Sequence, residues 1–194
     1  MTNLFTKLEK EGQVSSKLNL FILMGVSGSG KTEIGKMLAK SLNIKKDFMF
    51  LDADDFHSPQ AKERMEANLP LNDEMRKPWV EAIMNKLVNL SLDGKNVVLA
   101  FSGLKKKHRA CFRALTYQCH YFYLRADMNK IRLRMLNREE HFFKAELLTS
   151  QFLAMEEIDK NEKDIFEING NVSFDEVYNQ VLTLALKELN KDVL

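Results

Sequence analysis

The stretch Gly25-Val26-Ser27-Gly28-Ser29-Gly30-Lys31-Thr32 follows the apolar run Asn19–Met24 (NLFILM) and leads straight into Lys31–Leu42 (KTEIGKMLAKSL). It fits the pattern Gly-x-x-x-x-Gly-Lys-Ser/Thr in the context that gives the pattern meaning, a strand before and a helix after. The glycines let the backbone take turns that side chains would obstruct. The loop N–H groups then converge as an anion nest, and the following helix adds its positive end. The spacing predicts that Gly25, Val26, Ser27, Gly28, Ser29, Gly30, Lys31 and Thr32 cradle the phosphates of ATP. Lys31 then reaches the β and γ phosphates, and the Thr32 hydroxyl faces Mg²⁺. The loop by itself does not identify the phosphoryl acceptor.

Short apolar runs recur downstream: Asp47–Leu51 (DFMFL), Asn96–Phe101 (NVVLAF), His120–Leu124 (HYFYL) and Asp164–Ile168 (DIFEI). Each is about five residues long and nearly continuous in apolar character, which predicts strands buried on both faces of a parallel sheet. Helical patterns separate them. Lys31–Leu42 places Ile34, Met37, Leu38 and Leu42 on one face. Glu74–Leu92 contains Pro78, and a start near Lys77 puts that proline in the first turn, where it is tolerated. Asp127–Arg138 and Phe174–Asn190 complete the set. Strand and helix in alternation predict a three-layer α/β fold with right-handed crossovers.

The chain has 194 residues, room for one such domain. Residues 1–17 read as a polar N-terminal extension and 18–194 as a single domain. A net charge of +2 is too small to call for nucleic acid or an anionic membrane. No apolar run approaches the ~20 residues that span a bilayer. Cys111 and Cys119 form no Cys-x-x-Cys, which fits a reduced, cytoplasmic setting.

Leu51-Asp52-Ala53-Asp54-Asp55-Phe56-His57 follows the second strand, and ligands of open α/β sheets gather at strand carboxyl ends. Asp52 and Asp54 share a face in extended chain. One suits metal-bound water; the other suits the hydroxyl proton of an acceptor. A solvated turn that caps the next helix is the plainer alternative. His57 reads equally as a substrate contact or as packing.

These blocks resemble the gluconate kinases of the P-loop small-molecule kinase group. MGVSGSGKT (24–32) resembles their phosphate loop and LDADDFH (51–57) their acidic block. Met65, Pro70-Leu71-Asn72-Asp73 and Arg76-Lys77-Pro78-Trp79 resemble a substrate-side block. Ser102-Gly103-Leu104-Lys105-Lys106 with His108-Arg109 resembles the block after the third strand. Arg138, His141-Phe142-Phe143, Leu147-Leu148 and Ser150-Gln151-Phe152 resemble the lid, spanning about 139–150. The resemblance covers about residues 19–168. It implies transfer of the ATP γ-phosphate to the 6-hydroxyl of D-gluconate, a P-loop kinase fold with a five-stranded parallel sheet and a helical lid, and often a homodimer. Departures are Asn68 and Glu140 where the family usually has Gly, Gly103 where it has Ala, Met75 where it often has an acid, and Ile158 where a proline is common.

A site for gluconate needs a cation opposite the carboxylate, and arginine matches one with two parallel hydrogen bonds. Arg76 and Arg109 are the candidates, with Lys105 reaching the site from the lysine run 105–107. Surface arginines paired with nearby acids are the competing reading for both. Arg134 and Arg138 lie four apart on one helix face and suit the adenine and the β/γ phosphates. The catalytic set expected is Lys31, Asp54 and Arg138; the substrate set Asp54, His57, Arg76, Lys105 and Arg109; the metal set Thr32 and Asp52. Two other functions stay open at this point: a kinase for another small acid such as shikimate, and an ATP-binding regulator without turnover. A GTP switch lacks its Asn-Lys-x-Asp motif here.

Overall fold

The computed structural model describes residues 17–44, 46–136 and 145–191. Five strands, β1 (Asn19–Met24), β2 (Phe48–Asp52), β3 (Asn96–Ala100), β4 (Gln118–Arg125) and β5 (Ile165–Asn169), form one sheet in the order β2-β3-β1-β4-β5. Every pairing is parallel, with Leu20 opposite Val97 on one side of β1 and Cys119 on the other. All residues of β1 and β3 are buried, which is why these runs carry no polar alternation.

Seven helices stand among the described residues: α1 (Lys31–Leu42), α2 (Pro59–Glu66), α3 (Asp73–Leu92), α4 (Lys106–Arg113), α5 (Met128–Leu136), α6 (Ala145–Ala154) and α7 (Phe174–Lys191). Alternate β1 residues feed opposite layers, as the two-residue strand period requires. Leu20, Ile22 and Met24 pack with Trp79, Ile83 and Leu87 of α3; Phe21 and Leu23 pack with Ile34 and Leu38 of α1 and Val181 and Ala185 of α7. A third cluster, Val26, Leu104, Ala126, Ile131 and Leu148, joins the loop after β1 to α5 and α6. No helix among the described residues is long and apolar enough to cross a membrane.

The expected strands are all present, with β1 as expected and the ends of the others within two residues. The start of α3 needs correction. It begins at Asp73, not near Lys77, because Asn72 caps it by accepting from Met75 N at 2.9 Å. Pro78 therefore lies in the second turn, where it removes one helical hydrogen bond. Asn68, at a position expected for glycine, has φ 58°. Asparagine tolerates this left-handed conformation better than other side-chain-bearing residues, so the exchange preserves the turn. Residues 1–16 and the lid stretch up to residue 144 fall outside the described residues, as does Arg138.

Arg109 also needs correction. It is 0% exposed and does not face ligand space. Its Nε and Nη2 donate to Glu162 at 2.9 and 2.7 Å, and its Nη1 donates to the Gly103 carbonyl at 2.9 Å. Arg113 adds a second contact to Glu162 at 3.0 Å. A fully dehydrated guanidinium has to sit against a carboxylate. Arg109 is thus a clamp that ties the loop after β3 to the chain before β5, and not the expected ligand of a substrate carboxylate. The Arg109 hydrogen bonds hold the Glu162 carboxyl down at about 2, against burial.

Glu162→Gln should destabilise the fold by about 3–5 kcal/mol, because it leaves a buried guanidinium without its counter-charge. The wild-type pair should contribute fully above the ordinary carboxylate range, near 4.5, and lose that contribution as pH falls towards about 2. Urea unfolding at pH 7 and pH 3 checks both, with the difference between wild type and variant shrinking at the lower pH.

Candidate active site

The phosphate loop joins β1 to α1 at the carboxyl edge of the sheet. Gly28 has φ 79°, and a Cβ there would lie 2.9 Å from Met135 Cγ of α5, so both conformation and space demand glycine. Gly30 is the N-cap of α1 and gives it no side-chain cap. In contrast, Ser58 caps α2 by accepting from Ala61 N at 3.2 Å. The first N–H groups of α1 are thus left for an anion. Lys31 Nζ lies over the loop and donates to the Val26 carbonyl at 2.9 Å.

The acidic block folds into a tight 3-10 turn, Ala53–Phe56. Asp52 links it to the phosphate loop: Oδ2 accepts from Thr32 Oγ1 at 2.7 Å and Oδ1 accepts from Asp54 N at 3.0 Å. The turn is fixed from below by Trp79, whose Nε1 donates to the Ala53 carbonyl at 2.6 Å. Trp79 is itself stacked between His57 (centroids 4.4 Å apart) and Phe101 (5.0 Å). The Asp54 side chain stays 85% exposed beside the loop.

His57 packs and faces the cleft at once. Its side chain is only 6% exposed and its Nε2 lies 3.9 Å from Asp54 Oδ1. Burial lowers its pKa below the ordinary 6.5, outweighing the opposing pull of Asp54. His108, also buried, is lowered likewise by burial and then by Lys107 and Arg76. Both rings are therefore neutral at pH 7 and offer hydrogen bonds instead of charge.

These groups converge on a cleft of about 570 Å³. Lys31, Asp54, His57, Arg76 and Lys105 all line it, as does Ser27 of the loop. Arg76 is half-buried, with Nη1 3.7 Å from Asp73 Oδ1. Lys105 Nζ lies 3.3 Å from Glu156 Oε1. The walls bear four cations (Lys31, Lys62, Arg76, Lys105) and three carboxylates (Asp54, Asp55, Glu66). Such a lining suits a polyphosphate and an anionic acceptor better than a neutral one.

Arg134 stands apart from this cleft. Its Nη2 donates to the carbonyls of Gly170 and Val172 in the turn after β5. Several polar cleft residues escaped the reading of the sequence as ligands, among them Lys62, His108 and Gln151. Lys62 gave no signal, being one lysine among many. His108 and Gln151 stood within the quoted kinase blocks, but nothing in spacing aimed them inward.

Comparison with known proteins agrees with this geometry. A family model described as an AAA domain matches residues 20–158. The chain is 38% identical over 181 residues to a gluconokinase of Arabidopsis thaliana, covering 87% of this chain and 93% of that protein. It is 39% identical over 151 residues to the thermosensitive gluconokinase of Escherichia coli strain K12, covering 78% and 79%. The crystal structure of a gluconokinase from Sinorhizobium meliloti 1021 superposes with a TM-score of 0.77 at 26% identity, over 91% of this chain and 96% of that one. An unliganded sugar kinase from Janibacter sp. HTCC2649 gives 0.76 at 28%, over 89% and 95%. With the loop, the acidic turn and the cationic cleft in their expected places on a shared fold, the chain belongs to the gluconokinase family of P-loop kinases.

Proposed function

We propose that this protein transfers the γ-phosphoryl group of ATP to the 6-hydroxyl of D-gluconate, giving 6-phosphogluconate and ADP. The observation that carries the proposal is the shared cleft: the phosphate-loop lysine Lys31 and the exposed carboxylate of Asp54 open onto one space with Arg76 and Lys105. Membership of the gluconokinase family supports the choice of acceptor.

Phosphoryl transfer asks little covalent chemistry of a protein and much positioning and charge stabilisation. The amino end of α1 and Lys31 hold the phosphates. Asp54 takes the proton of the attacking hydroxyl, and Arg76 with Lys105 matches the gluconate carboxylate. Thr32 Oγ1 and Asp52 Oδ2 are adjacent hard oxygens, and they fit Mg²⁺, which keeps waters and substrate phosphates among its ligands. Bound there, Mg²⁺ supplies charge neutralisation to the phosphates. Thr32 donates its proton to Asp52, so its hydroxyl lone pairs stay free to face such an ion. Arg138, outside the described residues, keeps its assigned role on the β/γ phosphates, and Arg134 a place beside the nucleotide.

ADP release from MgATP should be strong with D-gluconate and near background with shikimate, neutral sugars and no acceptor. Turnover with a different acid alone would discard gluconate and keep the kinase. Asp54→Asn should lower kcat by about 10²–10⁴-fold, the usual worth of a positioned general base, with ATP affinity little changed. Arg76→Ala should raise the acceptor KM by about 10–100-fold, as loss of a charged hydrogen-bonded pair does, and leave the ATP KM near wild type. A change confined to ATP would move Arg76 to the nucleotide side.

A further inference from the structure

One contact at the cleft has no part in the mechanism above. Ser27 N donates to Gln151 Oε1 at 2.7 Å, across 124 residues of sequence. Gln151 belongs to α6, and Ser27 is the third residue of the phosphate loop. Both line the cleft, together with Lys31 and Asp54.

The contact settles how the Gln151 amide is turned. A backbone N–H can only donate, so the group facing Ser27 is the carbonyl oxygen. Nε2 then lies on the other side of the amide and makes no hydrogen bond among the described residues. The glutamine is held in place from both ends. Its neighbour Phe152 packs on the cluster of Val26, Leu104, Ile131 and Leu148, and Leu148 is 0% exposed. The side chain is therefore not a loose surface amide that happens to touch the loop.

The position of Lys31 sharpens the point. Lys31 Nζ donates to the Val26 carbonyl, and Gln151 accepts from the Ser27 N–H. These two groups are the opposite edges of one peptide unit, and no peptide bond described is cis. One trans peptide thus holds a cationic donor on one edge and a neutral amide on the other. A phosphoryl group in transfer spreads its charge over three equatorial oxygens. Two donors set apart in this way suit two of those oxygens better than two donors crowded on one.

The geometry points to Gln151 as a direct ligand of the transferred phosphoryl group: Oε1 is anchored by Ser27 N–H, and Nε2 donates to a γ-phosphoryl oxygen. A residue that only braced the loop would need its oxygen alone, and it would serve ADP and ATP equally. A γ-phosphoryl ligand separates the two nucleotides. The inference takes from the proposed function that the cleft binds ATP; it does not depend on gluconate being the acceptor.

The test measures affinity for MgADP and for the magnesium complex of the β,γ-imido analogue of ATP by titration calorimetry, in wild type, Gln151→Glu and Gln151→Met. The carboxylate of Gln151→Glu still accepts from Ser27 N–H, so the anchor and the fold survive, but it turns a negative oxygen towards the phosphate. Gln151→Glu should lower the preference for the triphosphate analogue over MgADP by at least about tenfold, the scale of one charge-assisted hydrogen bond. MgADP affinity should move less than about threefold, and kcat should fall by about 10²-fold or more. Gln151→Met should lower the preference in the same direction by a smaller factor. An unchanged preference in Gln151→Glu would overturn the inference. So would an equal loss for both nucleotides, which would leave Gln151 as a brace for the loop. If Gln151→Met unfolds, Gln151→Glu decides alone. Absence of turnover with gluconate in the wild type would sink the acceptor assignment and leave the nucleotide preference readable.

Discussion

The amino end of α1 carries no side-chain cap, and the site is arranged around the N–H groups this leaves. The starts of α2, α3 and α7 use a serine or asparagine oxygen, from Ser58, Asn72 and Ser173, and the start of α4 donates from Lys106 N to Glu156. At α1 the cap position is Gly30, with φ 99°, which contributes only backbone. A capping side chain there would contribute about 1 kcal/mol to the helix and would occupy the space an anion needs. The fold forgoes that stabilisation and recovers it through packing. Ile34, Leu38 and Leu42 of α1 are buried against the sheet. The acidic turn is then tied to this helix end by Asp52, which bonds Thr32 with one oxygen and the Asp54 backbone with the other.

Much of this was legible in the sequence because the relevant signals are local. The phosphate loop needs eight consecutive residues, and a fully buried parallel strand writes itself as an uninterrupted apolar run. Asp54 was legible for the same reason: it stands two residues past Asp52, the last of a strand. Short helices were harder. The two turns of α2 (PQAKERME) bury only Ala61, so there is no apolar period to find. The start of α3 is set by the Asn72 cap, a signal that Pro78 five residues into the helix obscures.

Arg109 shows where linear reading fails. In the sequence Arg109 and Arg76 are equally able to meet a carboxylate. Both do meet one in the protein. The carboxylate that Arg109 meets is Glu162, 53 residues downstream, and the pair is sealed from solvent. Nothing local distinguishes a guanidinium aimed into a cleft from one aimed into the core beneath it. The difference is set by the tertiary partner, and that partner lies beyond the quoted kinase blocks around Arg109. The clamp nonetheless serves the site, since its bond to the Gly103 carbonyl fixes the loop that carries Ser102 and Lys105 to the cleft.

The chain from Gln151 to Glu156 meets both halves of the cleft. Gln151 accepts from Ser27 on the nucleotide side. Five residues later, Glu156 pairs with Lys105 at 3.3 Å and accepts from Lys106 N at 2.6 Å, at the start of α4. The Lys106 backbone hydrogen bond lowers the Glu156 carboxyl below its ordinary range, with Lys105 adding to it, so Glu156 stays charged where the positive end of α4 favours it. Exposed pairs of this kind contribute little to stability. Their weight lies in geometry: one segment of six residues touches the phosphate loop at one end and the start of α4 at the other.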